Sequence, residues 1–221
     1  MAGSGERGLR PLWHAIGRQL RNPAGRAGWL TGIAMRVANR QPTRHAVDAL
    51  AIAPGDVVLD LGCGGGQAIA AMAALARAGR VHGIDQSGVM LRQAARVNRA
   101  AMRNGHVFLD QGDFVRLPYE TASFDKILAS NVMYFWEDVP TVLTELRRVL
   151  RPGGRVAIYV TAAETMRRWK FAATGTHRLF EANDLRGELR AGGFERAALS
   201  VRPIMLAGGV QGLLAVLSRE P

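Results

Sequence analysis

Two aspartates, each standing in a short apolar run, are the residues of this chain best placed for chemistry. Asp60 lies in Val57-Val58-Leu59-Asp60-Leu61, and Asp85 ends Val81-His82-Gly83-Ile84-Asp85 about 25 residues later. A turn of the pattern Gly62-x-Gly64-x-Gly66 begins two residues after Asp60. Glycines there let the backbone bend sharply and let a ligand reach main-chain N–H groups that a Cβ would shield. Several classes of nucleotide-binding enzyme use such a turn, so the glycines alone do not choose a ligand. The acids do. A carboxylate at position 60 repels a pyrophosphate and attracts an amino-acid ammonium, directly or through a water. A carboxylate closing a second strand accepts both hydroxyls of a ribose. Together they describe a nucleoside whose far end is an amino acid, S-adenosylmethionine.

The elements that hold these acids follow from the residues around them. Val57–Leu61 is short, β-branched and apolar on both faces, which predicts a buried parallel strand. The alanine-rich residues 67–77 predict the next helix. Ser87 reads as the N-cap of a helix over 89–102, ended by Asn104-Gly105. Strands are expected at 106–109 and, central in the sheet, at 124–129. The latter runs into Ser130-Asn131-Val132-Met133-Tyr134-Phe135-Trp136, at the strands' C-terminal edge where open α/β sheets bind ligands. Asn131 is expected to line the methionine end of the cofactor there, and Tyr134 and Trp136 to line or seal an acceptor pocket. Asp138 predicts the cap of a helix over 139–150, with Pro140 in its first turn. A fifth strand at 155–161, a helix opened by Asn183 or Asp184 and ended by Gly192-Gly193, and strands at 194–201 and 212–217 complete the pattern.

VVLDLGCGGG, VHGIDQS, GDFVRLPYETASFDKILASNVMYF and ELRRVLRPGGRVAIY, in that order and spacing, resemble the successive motifs of class I S-adenosylmethionine-dependent methyltransferases. The resemblance is greatest to the methyltransferase type 11, ubiquinone/menaquinone-like branch, which acts on small molecules or lipids. It is strong over roughly residues 54–160 and topological elsewhere. It implies an α/β fold: a Rossmann-like seven-stranded methyltransferase sheet, the last strand antiparallel, with helices on both faces and an N-terminal helical cap. It implies cofactor contacts from Asp60, Gly62, Cys63 and Gly64 in the first motif, and from Asp85 and Gln86 in the second. It implies further that Asp113 accepts the adenine amino group while Phe114 packs on the ring. Ubiquinone-type members usually carry a Tyr-Asp pair near the N-terminus; this chain does not, which leaves the N-terminal contact to the cofactor open.

A sulfonium already carries an activated methyl group, so such an enzyme supplies alignment, desolvation and, for an acceptor with a proton to lose, a base. The catalytic candidates are His177, as a general base for a hydroxyl or amine, and Tyr134 beside the acceptor. A solvated loop histidine and a core tyrosine are the structural alternatives. Cys63, the single cysteine, reads as a small buried filler; it excludes an intramolecular disulfide and suits a reducing cytosol. With the histidines scattered, no metal-ligand spacing is present. A nicotinamide dehydrogenase fits Asp60 poorly. A base-amino methyltransferase usually carries [D/N/S]-P-P-[Y/F] where this chain reads Ser130-Asn131-Val132-Met133. Nucleic acid is therefore the second choice of acceptor, and a non-catalytic basic binding module the third.

The formal charge is +11, and residues 1–45 hold eight arginines against Glu6 alone, or +7 of it. Leu9, Leu12, Trp13, Ile16 and Leu20 share one helical face, Asn22-Pro23-Ala24-Gly25 breaks it, and Leu30, Ile33, Ala34 and Val37 form a second face. A third helix is expected from Gln41-Pro42-Thr43, with Val47 and Leu50 facing inward. The expected division is an N-terminal basic helical cap over 1–53 and an S-adenosylmethionine-dependent methyltransferase domain over 54–221. The cap would cover the substrate, and its arginines offer peripheral contact with an anionic membrane. Without a signal core or a spanning apolar run, the expected place is the cytoplasm, peripheral at the inner membrane face.

Overall fold

The computed structural model describes residues 39–169, 172, 177–194 and 199–220. The two helical faces expected within residues 9–37 lie outside them. In chain order the elements are α1 (Arg40–Leu50), β1 (Val57–Leu61), α2 (Gln67–Leu75), β2 (Arg80–Asp85), α3 (Gly88–Val97), α4 (Arg99–Arg103) and β3 (Val107–Gln111). They continue as β4 (Phe124–Ser130), α5 (Val139–Val149), β5 (Leu150–Thr161), α6 (Ala163–Met166), α7 (Ala182–Ala191), β6 (Leu199–Leu206) and β7 (Val210–Ser218). The seven strands form one sheet in the order β3-β2-β1-β4-β5-β7-β6. β7 runs antiparallel to both neighbours, and every other pairing is parallel. The chain moves outward from β1 to β3 and then crosses back to β4. That reversal opens a crevice between β1 and β4 at their C-terminal ends.

Alternation along the strands sends successive side chains to opposite layers. Val58, Ala157 and Tyr159 pack with Ala46, Val47 and Leu50 of α1 and Ile69 and Met72 of α2. Leu59, Leu61, Ile127 and Ile158 pack on the other face with Val142, Leu143 and Leu146 of α5 and Leu185 and Leu189 of α7. α1, which the sequence groups with the cap, is therefore part of the sheet's own core. Its Leu50 is fully buried, and Arg155 Nη1 donates to the carbonyl of Ala49.

Several expected boundaries move; the fifth strand, expected over 155–161, begins already at Leu150. The helix expected over 89–102 divides at Asn98 into α3 and α4. The buried Asn98 Nδ2 donates to the carbonyls of Gly66 (3.0 Å) and Ala94 (2.9 Å), so it serves the glycine turn at the expense of a continuous helix. The strand expected over 194–201 is described from Leu199 and runs on to Leu206 as β6; residues 195–198 lie outside the described residues. Pro203 sits within it because β6 is an edge strand, where a missing N–H is tolerated.

Candidate functional site

At the end of β1 the chain turns under β2. The N–H groups of Gly62 and Cys63 both donate to the carbonyl of Ile84, at 2.8 and 3.1 Å. Gly62, Gly64 and Gly66 have φ of 74°, 50° and 79°, the left-handed region that glycine enters without a Cβ clash. The turn and β2 are then locked by Asp85. Its Oδ2 accepts from Gly64 N at 2.9 Å and its Oδ1 from Ser87 N at 2.8 Å. Ser87 in turn caps α3, its hydroxyl accepting from Met90 N.

Asp60 lies 2% exposed beneath this turn, and its Oδ2 has no hydrogen-bond partner. Burial above all, and next the charge of Asp85, push its pKa from 3.8 up to about 8. Burial also raises Asp85, while the N–H groups of Ser87 and Gly64 oppose the rise. The same burial and the two carboxylates push the Cys63 thiol well up, and it packs against Gly83.

A cavity of about 780 Å³ opens over these groups. Asp60, Gly62, Cys63, Gly64, Asp85 and Gln86 line it, and so do Phe114 and Asn131 from across the crevice. Asp113 is the predicted cofactor residue that does not line it. Its Oδ1 turns back to accept from Phe114 N at 2.5 Å and from Gln86 Nε2 at 3.3 Å.

Neither catalytic candidate lines the cavity. Tyr134 is 6% exposed; its hydroxyl donates to Asn131 Oδ1 at 2.9 Å and accepts from Thr161 N. Burial pushes that hydroxyl well above the ordinary tyrosine range, and the ring lies behind Asn131 and Phe135 rather than in the cavity lining. His177 stacks edge-on against Phe135 at 4.9 Å between ring centres, and Phe135 does line the cavity. Trp136 is core, 2% exposed. Among the described residues no group of three or more His, Cys, Asp or Glu gathers to hold a metal.

The sequence reading missed the wall supplied by α1. Asn39, Arg40, Thr43, Arg44 and Val47 line the cavity, and Asn39 Oδ1 accepts from Asn131 Nδ2 at 3.0 Å. Their spacing of three and four residues marks one helical face and was the available signal. Its partner across 92 residues of chain was not.

Comparison with known proteins brings a family model described as a methyltransferase domain, which matches residues 59–158. The uncharacterized methyltransferase YdaC of Bacillus subtilis is 30% identical over 135 residues, 61% of this chain and 72% of that protein. The 2-phytyl-1,4-naphtoquinone methyltransferase of Synechococcus elongatus is 38% identical over 118 residues, 52% of this chain and 50% of that one. Several curated relatives are longer: the match spans 37% of a transposon TN4556 protein of Streptomyces fradiae and about half of the naphtoquinone enzyme. Among solved structures, a chain from the complex of the Haloferax volcanii Trm112 methyltransferase activator with a putative methyltransferase superposes with TM-score 0.72. It is 22% identical and covers 88% of this chain and 95% of its own. A geranyl diphosphate methyltransferase with sinefungin superposes at 0.65, 18% identical, over 81% and 77%. At these identities the superpositions speak for the fold.

Proposed function

This chain belongs to the methyltransferase-domain family, and on that premise we propose that it binds S-adenosylmethionine at the β1 turn and methylates a small-molecule or lipid acceptor. The observation that carries the reading is the unpartnered carboxylate oxygen of Asp60, buried in the cavity wall beside Asp85. An unpaired buried acceptor is costly, and an ammonium or a bridging water from an amino-acid ligand removes that cost. A Cβ built on Gly64 would meet nothing within 4 Å, so the turn leaves open space against the cavity rather than against protein. These residues fit the cofactor. When bound, its sulfonium supplies a methyl group ready for in-line displacement.

The chain's own part is binding and exclusion of water. Asp85, already oriented by two backbone N–H groups, keeps further lone pairs for a ribose. Phe114 offers an apolar face for the base, with Asp113 held beside it. His177, behind Phe135, is the base of this reading for an acceptor that has a proton to lose.

The acceptor class rests on the relatives. The naphtoquinone enzyme and the demethylmenaquinone methyltransferase of Lactobacillus johnsonii, 36% identical over 117 residues, favour a quinone-like ring. The basic residues 1–45 favour approach from an anionic membrane surface. No helix of the described residues is long and apolar enough to cross a membrane.

Calorimetry with S-adenosylhomocysteine followed by transfer of labelled methyl to cell extracts tests both parts. Binding is expected, with label in the lipid-soluble fraction. Absence of binding ends the cofactor reading; label recovered in RNA or DNA ends the acceptor reading and restores the second choice.

A further inference from the structure

We propose that Tyr134 is a positioning residue that fixes the orientation of the Asn131 side-chain amide in the cavity wall. The polarity of a chain of hydrogen bonds carries this. The Thr161 backbone N–H donates to the Tyr134 hydroxyl oxygen. A hydroxyl has one proton, and with that partner acting as donor the proton is left for Asn131 Oδ1, 2.9 Å away. The oxygen end of the amide is thereby committed inward, and Nδ2 is the end that reaches Asn39 Oδ1 at 3.0 Å.

The backbone supports the same arrangement. Asn131 has φ 56°, a left-handed conformation rare for a non-glycine residue and held where its surroundings demand it. Its own N–H donates to the carbonyl of Tyr159 at 2.9 Å. Tyr134 sits one turn onward, its ring among Phe135, His177 and Phe180 at 6.0–6.3 Å between centres. The carbonyl of Tyr134 accepts from Arg178 N, which ties the segment carrying His177 to the same point. Asn131 and Asn39 both line the cavity. The wall there presents an N–H donor group, and the ligand group it suits is an acceptor, a carboxylate or carbonyl oxygen.

The decisive measurement is the side-chain amide signal of Asn131 in ¹⁵N-labelled protein, assigned by its loss in Asn131→Ala. Tyr134→Phe keeps the ring and removes only the hydroxyl; the Asn131 signal is expected to shift and its exchange with water to quicken. On the cofactor reading above, S-adenosylhomocysteine affinity falls roughly three- to tenfold while the pH profile of methyl transfer keeps its shape. Asn39→Ala breaks the outer end of the chain and gives a smaller loss, and the double variant loses less than the two losses added. An unchanged Asn131 signal in Tyr134→Phe overturns the proposal, whether or not the protein binds the cofactor. Unchanged affinity with a lost limb of the pH profile overturns it in favour of Tyr134 as proton carrier. If Tyr134→Phe does not fold, Asn39→Ala takes its place, and an unshifted Asn131 signal there overturns the proposal equally. A wild-type protein that binds no S-adenosylhomocysteine defeats the cofactor reading alone, and the Asn131 signal still tests the relay.

Discussion

A carboxylate as deeply buried as Asp60, with one oxygen unpartnered, resists ionisation, and its pKa near 8 in the folded chain lies far above the 3.8 of an exposed aspartate. Between those values the folded state binds more protons than the unfolded one. The associated stability is whole below the unfolded pKa and is lost as pH rises through the folded one. The ligand-free protein is therefore expected to melt at lower temperature as pH rises from about 6 to about 8, and Asp60→Asn should flatten that fall. A cationic ligand reverses the preference. S-adenosylhomocysteine affinity should rise across the same interval with release of a proton, seen as a buffer-dependent heat, and Asp60→Asn should lose both effects. Asp85 is different because two N–H groups already orient it and oppose the rise that burial causes. Removing two charge-assisted bonds to a ribose through Asp85→Ala should weaken binding by roughly tenfold or more, measured by calorimetry.

Within the glycine turn the three glycines divide into two jobs. A Cβ on Gly66 would come within 2.6 Å of Asn98 Nδ2 and 2.8 Å of Ala94, and one on Gly62 within 2.5 Å of Val132. Those two glycines serve packing, so Gly66→Ala should lower the urea midpoint markedly. Gly64 faces open space. Gly64→Val carries the left-handed strain of about 1–2 kcal/mol but little clash, and should abolish S-adenosylhomocysteine binding while circular dichroism stays near that of the wild type. α1 is read the same way. Leu50→Ala, in a fully buried position against the sheet, should cost about 2–5 kcal/mol in urea unfolding.

For the molecule as a whole, α1 is expected to divide what is dispensable for folding from what is not. Removing residues 1–38 leaves α1 intact and should leave a folded sheet; removing residues through 50 strips one face of β4, β5 and β7 and should not. The excess charge of residues 1–45 predicts sedimentation with anionic vesicles at low salt. Each arginine near such a surface contributes about 1 kcal/mol, and the attraction fades within a Debye length as salt rises. Sedimentation that ignores salt, or that survives removal of residues 1–38, would show that this charge is not what meets the lipid.

Much of the cavity wall was legible in the sequence because its signals are local. The acid of β1, the three glycines and the acid of β2 sit in one strand-turn-helix-strand unit, and the backbone that connects them also sets their geometry. A seven-stranded sheet with an antiparallel last strand followed from the resemblance that the same motifs carry, and the order of its strands came from the structure. What only the tertiary structure decided involves partners distant in sequence. Asn98 breaks a helix in favour of Gly66, 32 residues back, and Asn39 meets Asn131 across 92. Tyr134 looked available to an acceptor because an aromatic at a strand's mouth has two sides. Which side it takes is set by Thr161 and Phe180, brought there by the end of β5 and the segment after α6. Helix and strand periods come from bonds a few residues long, whereas the direction of a hydroxyl depends on which distant N–H reaches it first.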